Sequence, residues 1–130
     1  MTKEDKDLLI KDISMRLPYG VKNLITGVTE GKDAFHDLIG MNISAVEDRF
    51  KNGTLDIKLI LRPLSDLSDQ QLILLGYQEA GIKTLIEDIQ QGEICQREYM
   101  YLIKNHYDVN LFIERGIAVD VNTIETDPYK

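Results

Sequence analysis

The chain has almost no cysteine: Cys95 stands alone among 130 residues. One thiol cannot build an intrachain disulfide framework, and it fits a reducing compartment. No run of apolar residues approaches the roughly 18 that a membrane-spanning helix needs. The charged opening Met1-Thr2-Lys3-Glu4-Asp5-Lys6-Asp7 is followed by no signal-type apolar stretch. There is no internal repeat, low-complexity segment, phosphate loop, dinucleotide fingerprint, nucleophile elbow or HExxH zinc helix. These absences predict a soluble cytoplasmic chain with no cofactor and no membrane partner.

What is present is ordinary globular composition, 43% apolar and 28% charged. A chain of 130 residues fits one domain, 1–130, and can bury a core without metals or disulfides. Net charge is 15 − 22 = −7. Residues 1–65 carry ten basic and ten acidic side chains, and residues 66–130 carry five and twelve, so 5 − 12 = −7 lies entirely in the second half. Nucleic-acid binders neutralise phosphates with Lys and Arg. With no basic block or stripe, direct nucleic-acid binding is disfavoured. An acidic half suits solubility, a basic protein partner or, more remotely, a nucleic-acid mimic.

The local patterns alternate between helix and strand. Thr2, with Asp5 three residues on, opens a helix carrying Leu9, Ile10, Ile13 and Leu17. Pro18 ends it near Arg16. Val21–Thr29 reads as a strand, Glu30–Asp33 as a turn, and the alternation from Phe35 as a second strand. Asn52-Gly53 has the residues of a type I′ hairpin turn. Its register sets Phe50 against Leu55, Val46 against Leu59, Arg49 against Asp56 and Glu47 against Lys58, with a bulge, bend or break in the strand near Ala45.

Pro63 closes this sheet segment at Leu61-Arg62. Ser68 with Gln71 caps a helix that Gly76 interrupts. Ile82, Leu85, Ile86 and Ile89 have helical spacing ending near Gly92, although a strand stays open through 76–96. Residues 94–106 read as a helix with Ile94, Met100 or Tyr99, Leu102 and Ile103 inward. Asp108 caps a short last helix to Arg115, with Gly116 as its left-handed C′ residue. Ile117, Val119 and Val121 alternate as a strand returning to the sheet, and 122–130 reads as a frayed polar end. The fold class that follows is α+β. It is an antiparallel sheet of about four strands, barrel-like if it curls, packed against helices from both ends of the chain.

Three segments carry a resemblance: Arg16-Leu17-Pro18-Tyr19-Gly20-Val21-Lys22, Leu61-Arg62-Pro63-Leu64-Ser65-Asp66-Leu67, and Asn105-His106-Tyr107-Asp108 with Leu111, Ile113 and Gly116-Ile117-Ala118. In order and spacing they resemble a group of small uncharacterised proteins common in gut-bacterial prophages and mobile elements. The middle, Gly76 to Gln96, departs from that pattern. The resemblance implies an intracellular, mobile-element-associated protein and brings no activity, catalytic residue or cofactor with it.

Four residues stand out as candidate binding positions: Tyr19, Arg62, His106 and Tyr107. His106 lies among Tyr99, Tyr101 and Tyr107, and could bind or transfer a proton. The plainer reading is a histidine at a helix end, favoured by the negative end of the dipole. Arg62 ends a strand and could hold a carboxylate of the acidic half, tying the two halves together. Tyr19, between Pro18 and Gly20, could recognise a partner or cap the core edge. His36 and Asp37 are adjacent on a strand and face opposite ways. Cys95 and His106 are too few for a zinc set, and Cys95 reads as a buried or half-buried thiol. The expectation is a non-enzymatic factor that binds another protein, with a nucleic-acid-linked regulator second and a small enzyme using His106 third. Self-association through a sheet edge stays open.

Overall fold

A computed structural model describes residues 2–24, 35–37, 58–79, 81–124 and 127–129. Helix α1 is Lys3–Arg16. Thr2 caps it reciprocally with Asp5: the Asp5 N–H donates to Thr2 Oγ1 and the Thr2 N–H to Asp5 Oδ2. A single 3-10 turn, Leu17–Tyr19, follows, with Pro18 where a missing N–H costs nothing and Gly20 left-handed at φ 73°. Strand β1 is Lys22–Leu24 and β2 is Phe35–Asp37, paired antiparallel with Asn23 opposite His36.

Strand β3, Ile60–Leu61, leads through Arg62-Pro63 into a 3-10 turn at Leu64–Asp66. Helix α2 is Asp69–Leu74, capped by the Ser68–Gln71 box; α3 is Gly81–Gln91 and α4 is Gln96–Lys104. The open choice at 76–96 therefore resolves as helix over most of its length. Strand β4, Val119–Asp120, precedes a last 3-10 turn at Val121–Thr123.

The expected four-stranded antiparallel sheet is not what forms. Among the described residues there are two separate two-stranded ladders, β1–β2 antiparallel and β3–β4 parallel. The reason lies in the connection. Between Leu61 and Val119 the chain passes through three helices, and a long helical crossover returns a strand in the same direction. The Asn52-Gly53 hairpin and its paired residues up to Ile57 lie outside the described residues.

The helix expected over 108–115 is also replaced, by a series of turns. Leu111 stands at φ 56°, which no α-helix accommodates. Asp108 still acts as a cap: its carboxylate accepts the N–H groups of Phe112 and Ile113, both at 2.9 Å. Gly116 is left-handed as expected. The Gly116 N–H reaches Ile113 O and the Ile117 N–H reaches Phe112 O, the bonding of a Schellman turn.

Two apolar clusters result. The first gathers Leu9 and Ile13 of α1, Val21, Leu59, Leu61, Phe112, Ile117 and Ala118. The second gathers Leu64, Leu67, Leu75, Leu85 of α3, Leu102 and Ile103 of α4, Tyr107 and Val109. Strand β3 joins the two, because Arg62 forms a parallel bridge with Tyr107. No helix among the described residues is long and apolar enough to cross a membrane.

Candidate functional site: a tyrosine cradle

The site assembles on the edge of β3 that faces away from β4. Alternate residues of a strand bond to opposite neighbours. Leu59 accepts the Val119 N–H from β4 at 2.8 Å. Ile60 and Arg62 therefore offer their backbone groups to the other edge. There the Arg62 N–H donates to His106 O and the Asp108 N–H donates to Arg62 O, each at 2.8 Å. The next acceptor along that edge, Ile60 O, takes the hydroxyl of Tyr129 at 2.6 Å. The same hydroxyl accepts the Lys22 N–H at the start of β1, at 2.9 Å. One phenol oxygen thus joins β1 to β3.

The Tyr129 ring lies on His106, centroids 3.7 Å apart and planes 11° from parallel. The Arg62 guanidinium carbon is 5.5 Å from the Tyr129 ring centroid. Arg62 also forks onto Asp127, with Nη1–Oδ2 at 3.0 Å and Nη2–Oδ1 at 3.5 Å. Asp127 Oδ1 accepts the Tyr129 N–H at 2.8 Å, a side-chain turn that sets the carboxylate and the ring in place together. Asp127 belongs to the acidic half, so Arg62 does link the two halves of the chain. Asp127 to Tyr129 docks on β1 and β3 where a frayed end was expected.

His106 is the C′ residue of α4. The His106 N–H donates to Ile103 O and the Tyr107 N–H to Leu102 O, the same Schellman bonding seen at Gly76, Gly92 and Gly116. Those three are glycines. His106 adopts φ 67° with a side chain attached, which is strained for a non-glycine residue.

Beneath the cradle lies a charged pair that the sequence reading passed over. Asp12 and Arg16 of α1 are both 0% exposed. Arg16 Nε donates to Asp12 Oδ1 and Arg16 Nη2 to Tyr107 O, both at 2.5 Å. Asn110 Nδ2 donates to Asp12 Oδ2 at 2.8 Å. The signal was available: Asp12 and Arg16 are four apart and share the helix face of Leu9 and Ile13.

The environment of His106 is both dry and positive. Burial first, and then Arg16, Arg62 and Lys22, push its pKa down to about 4, with Asp127 pulling the other way. Among the described residues, Arg16 Nη1 and His106 Nδ1 are buried and meet no hydrogen-bond partner. The imidazole is neutral at pH 7, so the helix dipole does not hold it as a cation. Burial also raises Tyr129, Tyr107 and Asp108 above their ordinary values.

A stability consequence follows. The unfolded chain takes up the His106 proton near pH 6.5, the folded chain only near 4. Acidification through that window favours the unfolded chain, by about 2 kcal/mol after allowing for residual solvent access. His106→Asn removes the titration with a residue that tolerates positive φ. Thermal unfolding at pH 7 and pH 4 is expected to show the wild type losing about 2 kcal/mol more than the variant. Equal losses would mean that the imidazole is not buried in its neutral form.

Of the four candidate positions, Arg62 and His106 share the cradle. Tyr107 contributes its backbone. Its hydroxyl turns the other way, to Gln71 Nε2 at 3.0 Å, in the second cluster. Tyr19 lies elsewhere, 37% exposed, with Lys104 Nζ 5.6 Å from its ring centroid. Cys95 is exposed, against expectation, at the N-cap of α4. It borders a separate open cleft of about 390 Å³ with Tyr77, Asp88 and Glu98. The Tyr77 hydroxyl donates to Asp88 Oδ2 at 2.5 Å, and burial together with that carboxylate pushes the phenol up to about 12. Among the described residues no group of three His, Cys, Asp or Glu side chains is placed to hold a metal ion.

Comparison of the chain with protein-family models, with curated proteins and with solved structures finds no match.

Proposed function

We propose that this chain is a non-enzymatic protein-interaction factor of the cytoplasm, an accessory protein of phage or mobile-element origin, and that the Arg62–His106 cradle holds a segment of a partner. The supporting observation is how the cradle treats Asp127 to Tyr129. It holds that segment by contacts of the recognition type: a forked guanidinium–carboxylate pair, a ring stack, and a hydroxyl shared between two backbone groups. The mobile-element origin rests on the three-segment resemblance, and the compartment on the single cysteine.

An enzymatic role for His106 has less support, since a base with a pKa of about 4 is weak at neutral pH. A nucleic-acid-linked role would rest on the −7 of the second half.

The test is capture from host lysate by the tagged full chain, with and without nuclease, beside Arg62→Ala. The expected result is a nuclease-resistant protein whose recovery falls at least fivefold with Arg62→Ala. An empty lane, or partners lost on nuclease treatment, contradicts the proposal. The second of these outcomes moves the nucleic-acid reading ahead.

A further inference from the structure

We infer that the cradle is a receptor for a short Asp-x-Tyr segment, that Asp127-Pro128-Tyr129 occupies it in cis, and that an Asp-x-Tyr segment of a partner protein displaces this occupant. The inference builds on the interaction reading above and adds the chemistry of the partner.

Each feature of the occupant meets a group suited to it. The Arg62 fork takes a carboxylate, at 3.0 and 3.5 Å. A planar guanidinium reads a carboxylate's two oxygens at once, which an amide cannot reproduce. The His106 ring takes a flat aromatic ring, at 3.7 Å and 11°. Lys22 N–H and Ile60 C=O take a hydroxyl that accepts from one and donates to the other, at 2.9 and 2.6 Å. Phenylalanine cannot satisfy that pair. Phosphotyrosine has no hydroxyl proton to give Ile60 O and adds a charged group between two strands. Pro128 leaves one backbone donor fewer to satisfy and restricts the turn between the carboxylate and the ring.

The receiving groups come from parts of the chain other than the occupant's own segment. Lys22 opens β1, Ile60 and Arg62 belong to the β3 edge, and His106 ends α4. His106 keeps a left-handed backbone at a turn position that Gly76, Gly92 and Gly116 fill without a side chain. A strained residue persists where its surroundings hold it in place, and such residues gather at ligand-holding positions. Here the strain aims an imidazole at the tyrosine ring.

Tethering makes the cis segment a strong competitor, because a linked segment acts at an effective concentration in the millimolar range. An isolated peptide therefore binds the wild-type chain weakly, and binds tightly only when the cis segment is removed from the cradle.

The probe is a fluorescein-labelled Thr-Asp-Pro-Tyr-Lys peptide, blocked at both ends and read by fluorescence anisotropy. The receptor is the full chain carrying Asp127→Ala and Tyr129→Ala. The expected result is saturable binding at least tenfold tighter than to wild type. Peptides with Phe or phosphotyrosine for Tyr, or Asn for Asp, bind at least tenfold more weakly. A folded double variant that binds no peptide, or binds the Phe peptide equally, overturns the inference. If the double variant does not fold, Tyr129→Phe serves, since it keeps the stacked ring and loses only the hydroxyl. The tyrosine peptide then binds this variant more tightly than wild type, and equal affinity overturns the inference. Capture of a nuclease-resistant partner without any peptide binding defeats this inference and leaves the interaction reading standing. Peptide binding with an empty capture lane does the reverse.

Discussion

Arg16→Met is expected to lower the unfolding free energy by about 3–5 kcal/mol, the range for removing one member of a buried ion pair. Burial decides the size. Arg16 and Asp12 are both 0% exposed, so neither recovers water when its partner is lost. Without the guanidinium, the Asp12 carboxylate keeps, among the described residues, the Asn110 amide, and Tyr107 O loses the Arg16 donor. A surface pair gives the contrast. Arg115 pairs with Asp5, but the Arg115 side chain is 40% exposed, so Arg115→Ala is expected to cost under about 1 kcal/mol. Urea unfolding of both variants measures the difference. Adding Asp12→Leu to Arg16→Met should recover part of the loss, because apolar replacement of a whole buried pair is often tolerated. If Arg16→Met behaved like Arg115→Ala, the pair would have to be open to water.

Phe112→Ala is expected to cost about 3–5 kcal/mol and to lower the melting temperature by roughly 10–20 °C. Phe112 is 0% exposed in the first cluster, with Leu9 and Ile13 of α1 and Leu59 and Leu61 around β3. Its backbone is fixed on both sides. Its N–H is held by Asp108, and its carbonyl accepts from Ile117 and Ala118. A side chain anchored this way cannot slide to fill a cavity, so the loss should sit toward the upper part of the range. Leu111 is the contrasting neighbour. It is only partly buried, at φ 56°, and Leu111→Ala should be milder. Thermal unfolding of the two variants tests the order, and a Phe112→Ala loss below that of Leu111→Ala would contradict it.

The legible parts of this fold are the local ones. Thr2 with Asp5 and Ser68 with Gln71 are capping boxes written within four residues, and both form. Gly92 and Gly116 mark left-handed turns because only a residue without Cβ enters that region freely. Helices α3 and α4 follow their apolar spacing.

The sheet was not legible, because strand direction depends on the path between strands. The alternation at Ile117, Val119 and Val121 signals a strand but says nothing of its orientation to Leu61. Phe112 was hidden for a similar reason. A helical periodicity imposed on 108–115 predicts a different inward set from the one a left-handed Leu111 produces.

The candidate site was half legible. Arg62 next to Pro63, and His106 among tyrosines, drew notice from residue type and position. Their shared partner, Tyr129, lies in a stretch that reads as a polar end. The cradle takes its groups from four separate parts of the chain: Lys22, Ile60 to Arg62, His106, and Asp127 to Tyr129. No single-chain periodicity links such parts. The Asp12–Arg16 pair was readable as i, i+4 opposite charges, yet charge suggests a solvated face. Only the position of Leu9 and Ile13 on the same face indicates otherwise.

The most direct test of the cradle is amide hydrogen exchange at Lys22 in the wild type and in Tyr129→Phe. The Lys22 N–H donates to the Tyr129 hydroxyl, and the Asp108 N–H donates to Arg62 O on the same β3 edge without involving that hydroxyl. Loss of the hydroxyl is expected to speed Lys22 exchange at least tenfold, corresponding to about 1.4 kcal/mol of lost protection, while Asp108 exchange stays unchanged. Unaltered exchange at Lys22 would mean that Tyr129 does not join β1 to β3, and the cradle would lose its occupant.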